Sequence, residues 1–174
     1  MGGNFLAYIQ QLEMLAFFSG YAPVNYFVHF LSRTAFFKAG RLANLVPLLP
    51  FAYALMGTLY FALQLLNLYP DYSVENIARR IEQPFLTIWS VVSMLFWIPT
   101  LPKRQVISIL HSLLFFLLIV RDLFFQFTLS FRDRDILKND MKIYTMSIFL
   151  HLAAVVLLAF FSYLLPLRKK SPAP

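Results

Sequence analysis

The sequence predicts an all-α integral membrane protein, a polytopic helical bundle of four transmembrane helices with a fifth, kinked span at the N-terminus. Two observations carry this prediction. Of the 174 residues, 60% are hydrophobic and only 13% are charged. Soluble domains average about 45–50% hydrophobic and about 25% charged residues. Nearly all of the ten prolines fall at the ends of long apolar runs, where a residue without a backbone N–H can start or end a helix.

Four runs are long and apolar enough to cross a bilayer, which needs about 20 helical residues. These runs are residues 45–69, 84–100, 106–129 and 143–165. Three of them carry no charged side chain, and the run 106–129 carries only Arg121 and Asp122. We therefore expect the whole chain, residues 1–174, to form a single membrane domain.

The N-terminal run, residues 14–32, is less regular than the other four. It is long enough to span, but Gly20 and Pro23 interrupt it and Asn25 and His29 make it more polar. Because a proline within a helix bends the helix axis, we expect a kinked span with the bend at Pro23. The alternative is a peripheral or re-entrant segment, and the sequence alone leaves both open.

Charged residues are divided between the predicted loops in a way that orients the chain. Segments 33–44, 101–105 and 166–174 contain Lys and Arg but no acidic residue, whereas 70–83 and 130–142 contain both signs. Basic loops beside membrane helices are typical of the cytoplasmic side, so we expect a cytoplasmic C-terminus. The net charge of +7 is then explained by contact with lipid, and no nucleic-acid partner is expected.

The loop after the predicted span 45–69 has a helical periodicity of its own. Apolar residues recur at the spacing i, i+3, i+4, i+7 from Val74 to Ile81, which is typical of an amphipathic helix. Ser73 directly precedes them and is of a residue type that caps helix N-termini. The sequence therefore predicts a short amphipathic helix over about residues 74–83, lying on the outer membrane face.

Each predicted span carries its polar residues along one side. In the run 45–69 these residues are Tyr53, Gly57, Tyr60, Gln64 and Asn67, at spacings of 4, 3, 4 and 3. Such spacings place them on one face of a helix, and Ser90, His29 and His111 belong to the polar faces of other spans. These faces either hydrogen-bond to neighbouring helices or line a water-filled cavity. We favour hydrogen bonding between helices, which is the commoner role.

The ionisable residues of the spans predict a polar cluster in the outer leaflet. At 1.5 Å per residue, Asp122 and His151 lie about 10 Å and about 12 Å from the outer ends of their predicted helices, near the level of Tyr60 and Gln64. A charge near the middle of a span costs about 2.5–3.5 kcal/mol or more, so Arg121 and Asp122 each need a partner on another helix or subunit. The cluster would be an ion network that fixes helix register, a proton or ion pathway, or a small-molecule site.

Catalytic and cofactor-binding motifs are missing from the sequence. It contains no H-E-x-x-H, G-x-S-x-G or S-x-x-K motif and no glycine-rich phosphate loop. The absence of cysteine excludes disulfides and sulfur-ligated metals. His29 and His111 lie near the same predicted membrane side, and two facing histidines can hold a haem, but no other feature supports one. We expect no cofactor, no metal and no catalytic residue.

Three classes of function are compatible with this sequence. A 20.3 kDa chain without a sizeable soluble domain favours a non-enzymatic subunit or accessory protein of a larger membrane assembly. The alternative is a homo-oligomeric channel, pore-forming effector or small transporter with a polar interior, and an intramembrane enzyme is the third class. The expected partners are the lipid bilayer and either further copies of the chain or other membrane subunits.

Overall fold

A computed structural model describes residues 16–33, 43–73, 75–77, 84–101, 104–129 and 134–164. The longer helices in these ranges are α1 (Tyr21–Arg33), α2 (Leu49–Leu68), α3 (Pro84–Met94), α4 (Arg104–Leu129) and α5 (Arg134–Leu164). Short 3-10 helices precede α2 at Ala43–Leu48 and follow α3 at Leu95–Trp97. All regular structure in the described residues is helical, which confirms the predicted all-α class and the helical bundle.

Two segments of the described chain are long and apolar enough to cross a membrane. They are Leu45–Leu68 and Met141–Leu164, each of 24 residues. At 1.5 Å per residue each reaches about 36 Å, which exceeds the hydrocarbon thickness of about 30 Å. The apolar helical stretches Pro84–Trp97 and Arg104–Leu118 are shorter, and α1 has only 13 residues. Two helices thus support membrane association. The four spans at 45–69, 84–100, 106–129 and 143–165 stay a prediction.

The fifth helix is longer at its start than the sequence predicts. α5 begins at Arg134, nine residues before the predicted span 143–165 and within a segment that we expected to be an outer loop. No glycine or proline occurs between Arg134 and Leu164, so nothing in this stretch stops the helix. The described part of 130–142 is therefore helical and not a loop, whereas the apolar part of the helix, Met141–Leu164, begins within two residues of the predicted span.

Prolines occupy the helix ends for which the sequence analysis expected them. Pro50 lies in the first turn of α2, Pro84 is the first residue of α3, and Pro70 follows the last residue of α2 by two positions. Pro23 lies in the first turn of α1. The interruption expected near Gly20 and Pro23 is present, because a turn at Gly20 follows helical residues 16–19, directly after Ser19, whose carbonyl is the one to which Pro23 has no N–H to donate.

The interruption lies at Gly20, which forms a turn between helical residues 16–19 and α1. A Cβ atom on Gly20 would lie 2.5 Å from the carbonyl oxygen of Ser147 on α5. Only glycine permits the backbone of this turn to approach α5 so closely. This turn is thus also set by a contact between two helices that are far apart in sequence.

Contacts between helices show which termini share an end of the bundle. The His29 and Gln105 side chains join the last turns of α1 to the first turn of α4 at 2.6 Å. The guanidinium of Arg104 lies 4.3 Å from the ring centre of Phe51, at the start of α2. We call this the basic end of the bundle because it carries Arg33, the last residue of α1, and Arg104. Helices α1 and α4 are therefore antiparallel neighbours.

The interior of the bundle combines aromatic rings with small polar side chains. Aromatic residues that are at most 2% exposed are Phe18, Tyr21, Tyr53, Tyr60, Phe96 and Phe115. Buried polar residues are Ser19, Asn25, Ser90, Ser93, Ser108, Ser112, Ser147 and His151. Large apolar side chains such as Leu66 and Phe149 are instead more than two-thirds exposed. The bundle thus has an apolar core that also contains small polar side chains, and it leaves many large apolar side chains exposed on its outside.

The loop after α2 begins as the sequence predicts. The Ser73 hydroxyl accepts a hydrogen bond from the backbone N–H of Asn76 at 3.3 Å, which is the N-cap geometry expected for this serine. Residues 75–77 are helical, and the rest of the predicted amphipathic helix 74–83 lies outside the described residues.

Candidate functional site

Four helices each contribute one ring to a group at the centre of the bundle, which we call the tyrosine–histidine cluster. Its members are Tyr21 of α1, Tyr53 of α2, His111 of α4 and His151 of α5. The ring centre of Tyr53 lies 4.6 Å from that of Tyr21, 5.7 Å from that of His111 and 6.4 Å from that of His151. Tyr53 is therefore the hub of the cluster.

A chain of hydrogen bonds ties Tyr21 to α4. The Asn25 amide donates to the Tyr21 hydroxyl at 3.0 Å, and this hydroxyl lies 2.9 Å from that of Ser108. The Ser108 hydroxyl donates to the backbone carbonyl of Gln105 at 2.9 Å. Since Ser108 uses its proton on that carbonyl, Tyr21 is the donor to Ser108, and every hydroxyl in the chain has a defined role.

Tyr53 and His111 form the second polar link of the cluster. The Tyr53 hydroxyl and His111 Nδ1 lie 2.7 Å apart, and either group can donate in this hydrogen bond. The Trp89 indole stacks on the His111 ring with centres 4.0 Å apart. His111 Nε2 is buried and has no hydrogen-bond partner among the described residues. The imidazole is thus held between a hydroxyl on α2 and an indole on α3.

His151 is fully buried and is oriented by its own helix. Its Nδ1–H donates to the Ser147 carbonyl at 2.9 Å, which leaves the lone pair of the neutral ring on Nε2. That nitrogen has no hydrogen-bond partner within the described part of the chain. A buried polar atom without a partner costs about 1–3 kcal/mol, so the surrounding ring contacts must stabilise this arrangement.

A second polar contact connects α5 to the residues before α1. The hydroxyls of Ser19 and Ser147 lie 3.1 Å apart, and the Ser147 hydroxyl also donates to the carbonyl of Ala16. On the other side, the Ser112 hydroxyl donates to the carbonyl of Phe18 at 2.7 Å. Residues 16–19 are therefore hydrogen-bonded to both α4 and α5. The turn at Gly20 separates these residues from α1.

The structure brings some of the predicted site residues together. Tyr60 is 2% exposed and its side chain interacts with those of Gln64 and Thr87, so the predicted proximity of Tyr60 and Gln64 is present. His151 and His111 both contact Tyr53. From the sequence alone, His151 belongs to the predicted outer cluster and His111 to the predicted cavity lining.

Arg121 of the predicted outer cluster lies further along α4 than His111. Arg121 is exposed on α4, ten residues beyond His111, which corresponds to about 15 Å along the helix. His151 lies at the level of His111 because both contact Tyr53. Asp122 belongs to α4, but its side chain lies outside the described residues. The structure thus separates Arg121 from His151 along the bundle axis.

The remaining predicted cavity residues have distinct environments. Gly57 is buried at the contact between α2 and α3, where an added Cβ would overlap the Ser93 hydroxyl and lie 3.1 Å from the Ser90 carbonyl. Ser90 is buried and its hydroxyl donates to the Thr87 carbonyl at 2.6 Å. Asn67 is exposed near the end of α2. The lining of a cavity by these residues stays a prediction.

Sequence reasoning missed Tyr21, which begins the polar face of α1. Tyr21 precedes Asn25 by four residues and His29 by eight, so the helical spacing that identified the latter two also includes it. Trp89 lies in the predicted span 84–100, and no signal in the sequence indicates that it stacks on His111. Ring stacking between distant helices depends on their packing, which periodicity does not specify.

The geometry of the cluster suits cohesion between helices. Hydroxyl–imidazole pairs can exchange protons, but general acid–base catalysis requires a reactant within hydrogen-bond reach, and both Tyr53 and His151 are fully buried. Interhelical hydrogen bonds contribute about 0.6–2 kcal/mol each in membrane bundles.

No protein family, curated protein sequence or solved structure matches this chain.

Proposed function

We propose that the chain is a multi-pass membrane protein that acts as a non-enzymatic subunit or accessory protein of a larger membrane assembly. One observation carries this proposal: polar side chains are buried and bonded inside the bundle, while large apolar side chains cover its outside. Exposed apolar residues occur on all five helices, among them Tyr26, Leu66, Ile88, Leu110 and Phe149, at 61–75% exposure. Water would not tolerate so continuous an apolar surface on a monomer, whereas lipid or partner helices would.

The proposed topology has spans at about 45–69, 84–100, 106–129 and 143–165, with a kinked span at 14–32. The antiparallel arrangement of α1 and α4 supports it, since alternating spans bring successive loops to opposite sides. The 26 residues of α4 correspond to about 39 Å, enough to cross even where the apolar stretch is short. The basic end faces the cytoplasm in this topology, together with the C-terminus.

The ring contacts inside the bundle favour a subunit over a channel. Phe18 of the segment before α1 lies 5.3 Å from Tyr60 and 5.4 Å from Phe115 between ring centres. Tyr53 lies 5.8 Å from Phe96. These aromatic side chains fill the space between helices that a conducting path through one copy would need. A channel would then have to form between copies, which is the alternative function.

The oligomeric state of the isolated chain tests the proposed function. Purified from membranes in a mild detergent after expression alone, the protein should be monomeric and poorly stable, because an accessory subunit lacks its partner. Its mass should be determined by light scattering with the detergent contribution subtracted. A stable oligomer of defined stoichiometry would contradict the subunit proposal and favour the channel between copies.

A further inference from the structure

A groove of about 390 Å³ runs along α1 where that helix meets α4. Its α1 side is formed by Ala22, Asn25, Tyr26, His29, Phe30 and Arg33. These residues recur at helical spacing and so line one face of α1 over about 16 Å. Ile109 of α4 lines the groove from the opposite side. The volume lies in the range of about 300–1,000 Å³ that is usual for small-molecule sites.

The groove is apolar along its walls and charged at one end. Tyr26 and Phe30 are 75% and 56% exposed and flank the polar residues. Asn25 is 2% exposed and lies deepest, His29 is half-buried and bonded to Gln105, and Arg33 is exposed at the last turn of α1. A ligand that fits this groove must combine a chain of apolar atoms with an anionic group.

The charge at the basic end is not balanced by nearby acidic residues in the sequence. Segments 14–70 and 83–121 contain no Asp or Glu. Around the basic end the same segments hold Arg33, Lys38, Arg41, Lys103 and Arg104. An uncompensated basic end attracts anions, and basic pockets between membrane helices on the cytoplasmic side bind phosphate headgroups.

A second cavity adjoins the groove and carries another cation. It measures about 360 Å³ and is lined by Arg104 and Gln105 together with residues at the start of α2. One guanidinium nitrogen of Arg104 is buried without a hydrogen-bond partner among the described residues. Since Gln105 also bonds to His29 in the groove, the two cavities are neighbours. The basic end thus carries one arginine at each of two neighbouring cavities.

We propose that the groove between α1 and α4 binds an anionic phospholipid, with its phosphate at Arg33 and part of one acyl chain along Tyr26 and Phe30. The inference rests on the proposed insertion of the bundle in a membrane. Arginine binds phosphate through charge-assisted hydrogen bonds. The aromatic walls favour a lipid over free phosphate, because free phosphate has no apolar part to bury against them.

Thermal unfolding of the purified full-length protein in a neutral maltoside detergent tests this site. Phosphatidylglycerol should raise the midpoint temperature by at least about 2 °C, since a ligand that binds only the folded state stabilises it. Phosphatidylcholine and inorganic phosphate at matched concentrations should not. Arg33→Gln should abolish the response to phosphatidylglycerol, whereas Arg33→Lys should retain most of it. Lys142→Gln, which removes an exposed charge on α5 toward the opposite end, should leave the response unchanged.

Each of the other results of this experiment would contradict a specific part of the proposal. Equal shifts with phosphatidylglycerol and phosphatidylcholine, or an undiminished shift in Arg33→Gln, would overturn the site. A shift of the same size with inorganic phosphate alone would replace the lipid by a free anion. A chain that carbonate releases from membranes without detergent would refute the membrane proposal itself. A chain that needs detergent but shows no preference for phosphatidylglycerol would refute only the lipid site.

Discussion

Tyr53→Ala is expected to lower the free energy of unfolding by about 3–5 kcal/mol, the range for truncating a large aromatic side chain in a core. The Tyr53 ring contacts those of Tyr21, Phe96, His111 and His151. Removing it leaves a space among rings from four other elements and deprives His111 of its hydroxyl partner. The measurement is unfolding in mixed detergent micelles, followed by far-ultraviolet circular dichroism.

Two matched variants separate the parts of this effect. Tyr53→Phe keeps the ring and removes only the hydrogen bond to His111, so it should cost about 0.6–2 kcal/mol. Tyr163→Ala removes a tyrosine ring that is 86% exposed on α5, and its effect should stay within about 0.5 kcal/mol. Equal losses for Tyr53→Ala and Tyr163→Ala would contradict the position of Tyr53 at the hub of the bundle.

Gly57→Leu should separate α3 from α2. Even a Cβ atom at this position would overlap the Ser93 hydroxyl, and three further carbons must displace the α3 backbone. We expect a loss at or above the upper end of the range of about 1–3 kcal/mol for overpacked cores. The gain in helix propensity from replacing glycine, about 1 kcal/mol, is too small to offset it.

The two tryptophans of the chain, Trp89 and Trp97, give this variant a specific signal. Trp97 donates to the Thr58 hydroxyl on α2 at 2.9 Å, so separation of α3 should shift the tryptophan emission. Ala62→Leu is the control, because Ala62 is exposed on the same helix and should tolerate the larger side chain. Native emission and stability in Gly57→Leu would show that α2 and α3 do not meet at Gly57.

The helix boundaries that the sequence predicted best are those with a local chemical signal. The predicted span 106–129 and α4 (Arg104–Leu129) end at the same residue and begin two residues apart. The polar residues around Lys103 mark the start of this helix. The helix α5 begins at Arg134, nine residues before the predicted span, although its apolar part begins at Met141. Hydropathy identifies the apolar part of a helix, whereas Arg134 and the polar residues after it continue the helix without being apolar.

The interruption near the N-terminus follows only in part from local rules. A proline inside an apolar run is a common cause of a kink, and the turn at Gly20 lies within one helical turn before Pro23. The sequence does not indicate the second cause, which is the close approach of Gly20 to the Ser147 carbonyl. This contact joins residues 127 positions apart, and no pattern within either segment indicates it.

The polar residues of each predicted span indicate which of its faces is buried, but they do not indicate which residues of other helices that face contacts. Tyr53, Tyr60 and His151 are buried, as expected for polar residues that avoid lipid. The depth of His151 was counted from the apolar start of its run, near residue 143. This count does not include how far one helix is shifted along its neighbour, and in the structure the His151 ring lies 6.4 Å from that of Tyr53.

Cysteine labelling in membranes tests most directly the central claim that the bundle is inserted in lipid and closed inside. The chain has no cysteine, so each introduced thiol reports alone. Ser90→Cys and Ser112→Cys replace buried serines with a residue of similar size, Leu59→Cys and Leu66→Cys report the outer face of α2, and Ser73→Cys reports the loop. Thiols react as thiolates, which require water.

With a membrane-impermeant maleimide on intact cells, Ser73→Cys should be labelled rapidly and the other four variants should stay unlabelled until the protein is denatured in dodecyl sulfate. Ser171→Cys in the C-terminal tail should be labelled only after the membrane is permeabilised. If Leu59→Cys and Leu66→Cys react as fast as Ser73→Cys in isolated open membranes, the outer face is in water and the membrane insertion is wrong. If Ser90→Cys and Ser112→Cys react before denaturation, the interior is wet, which contradicts the closed bundle and favours the channel.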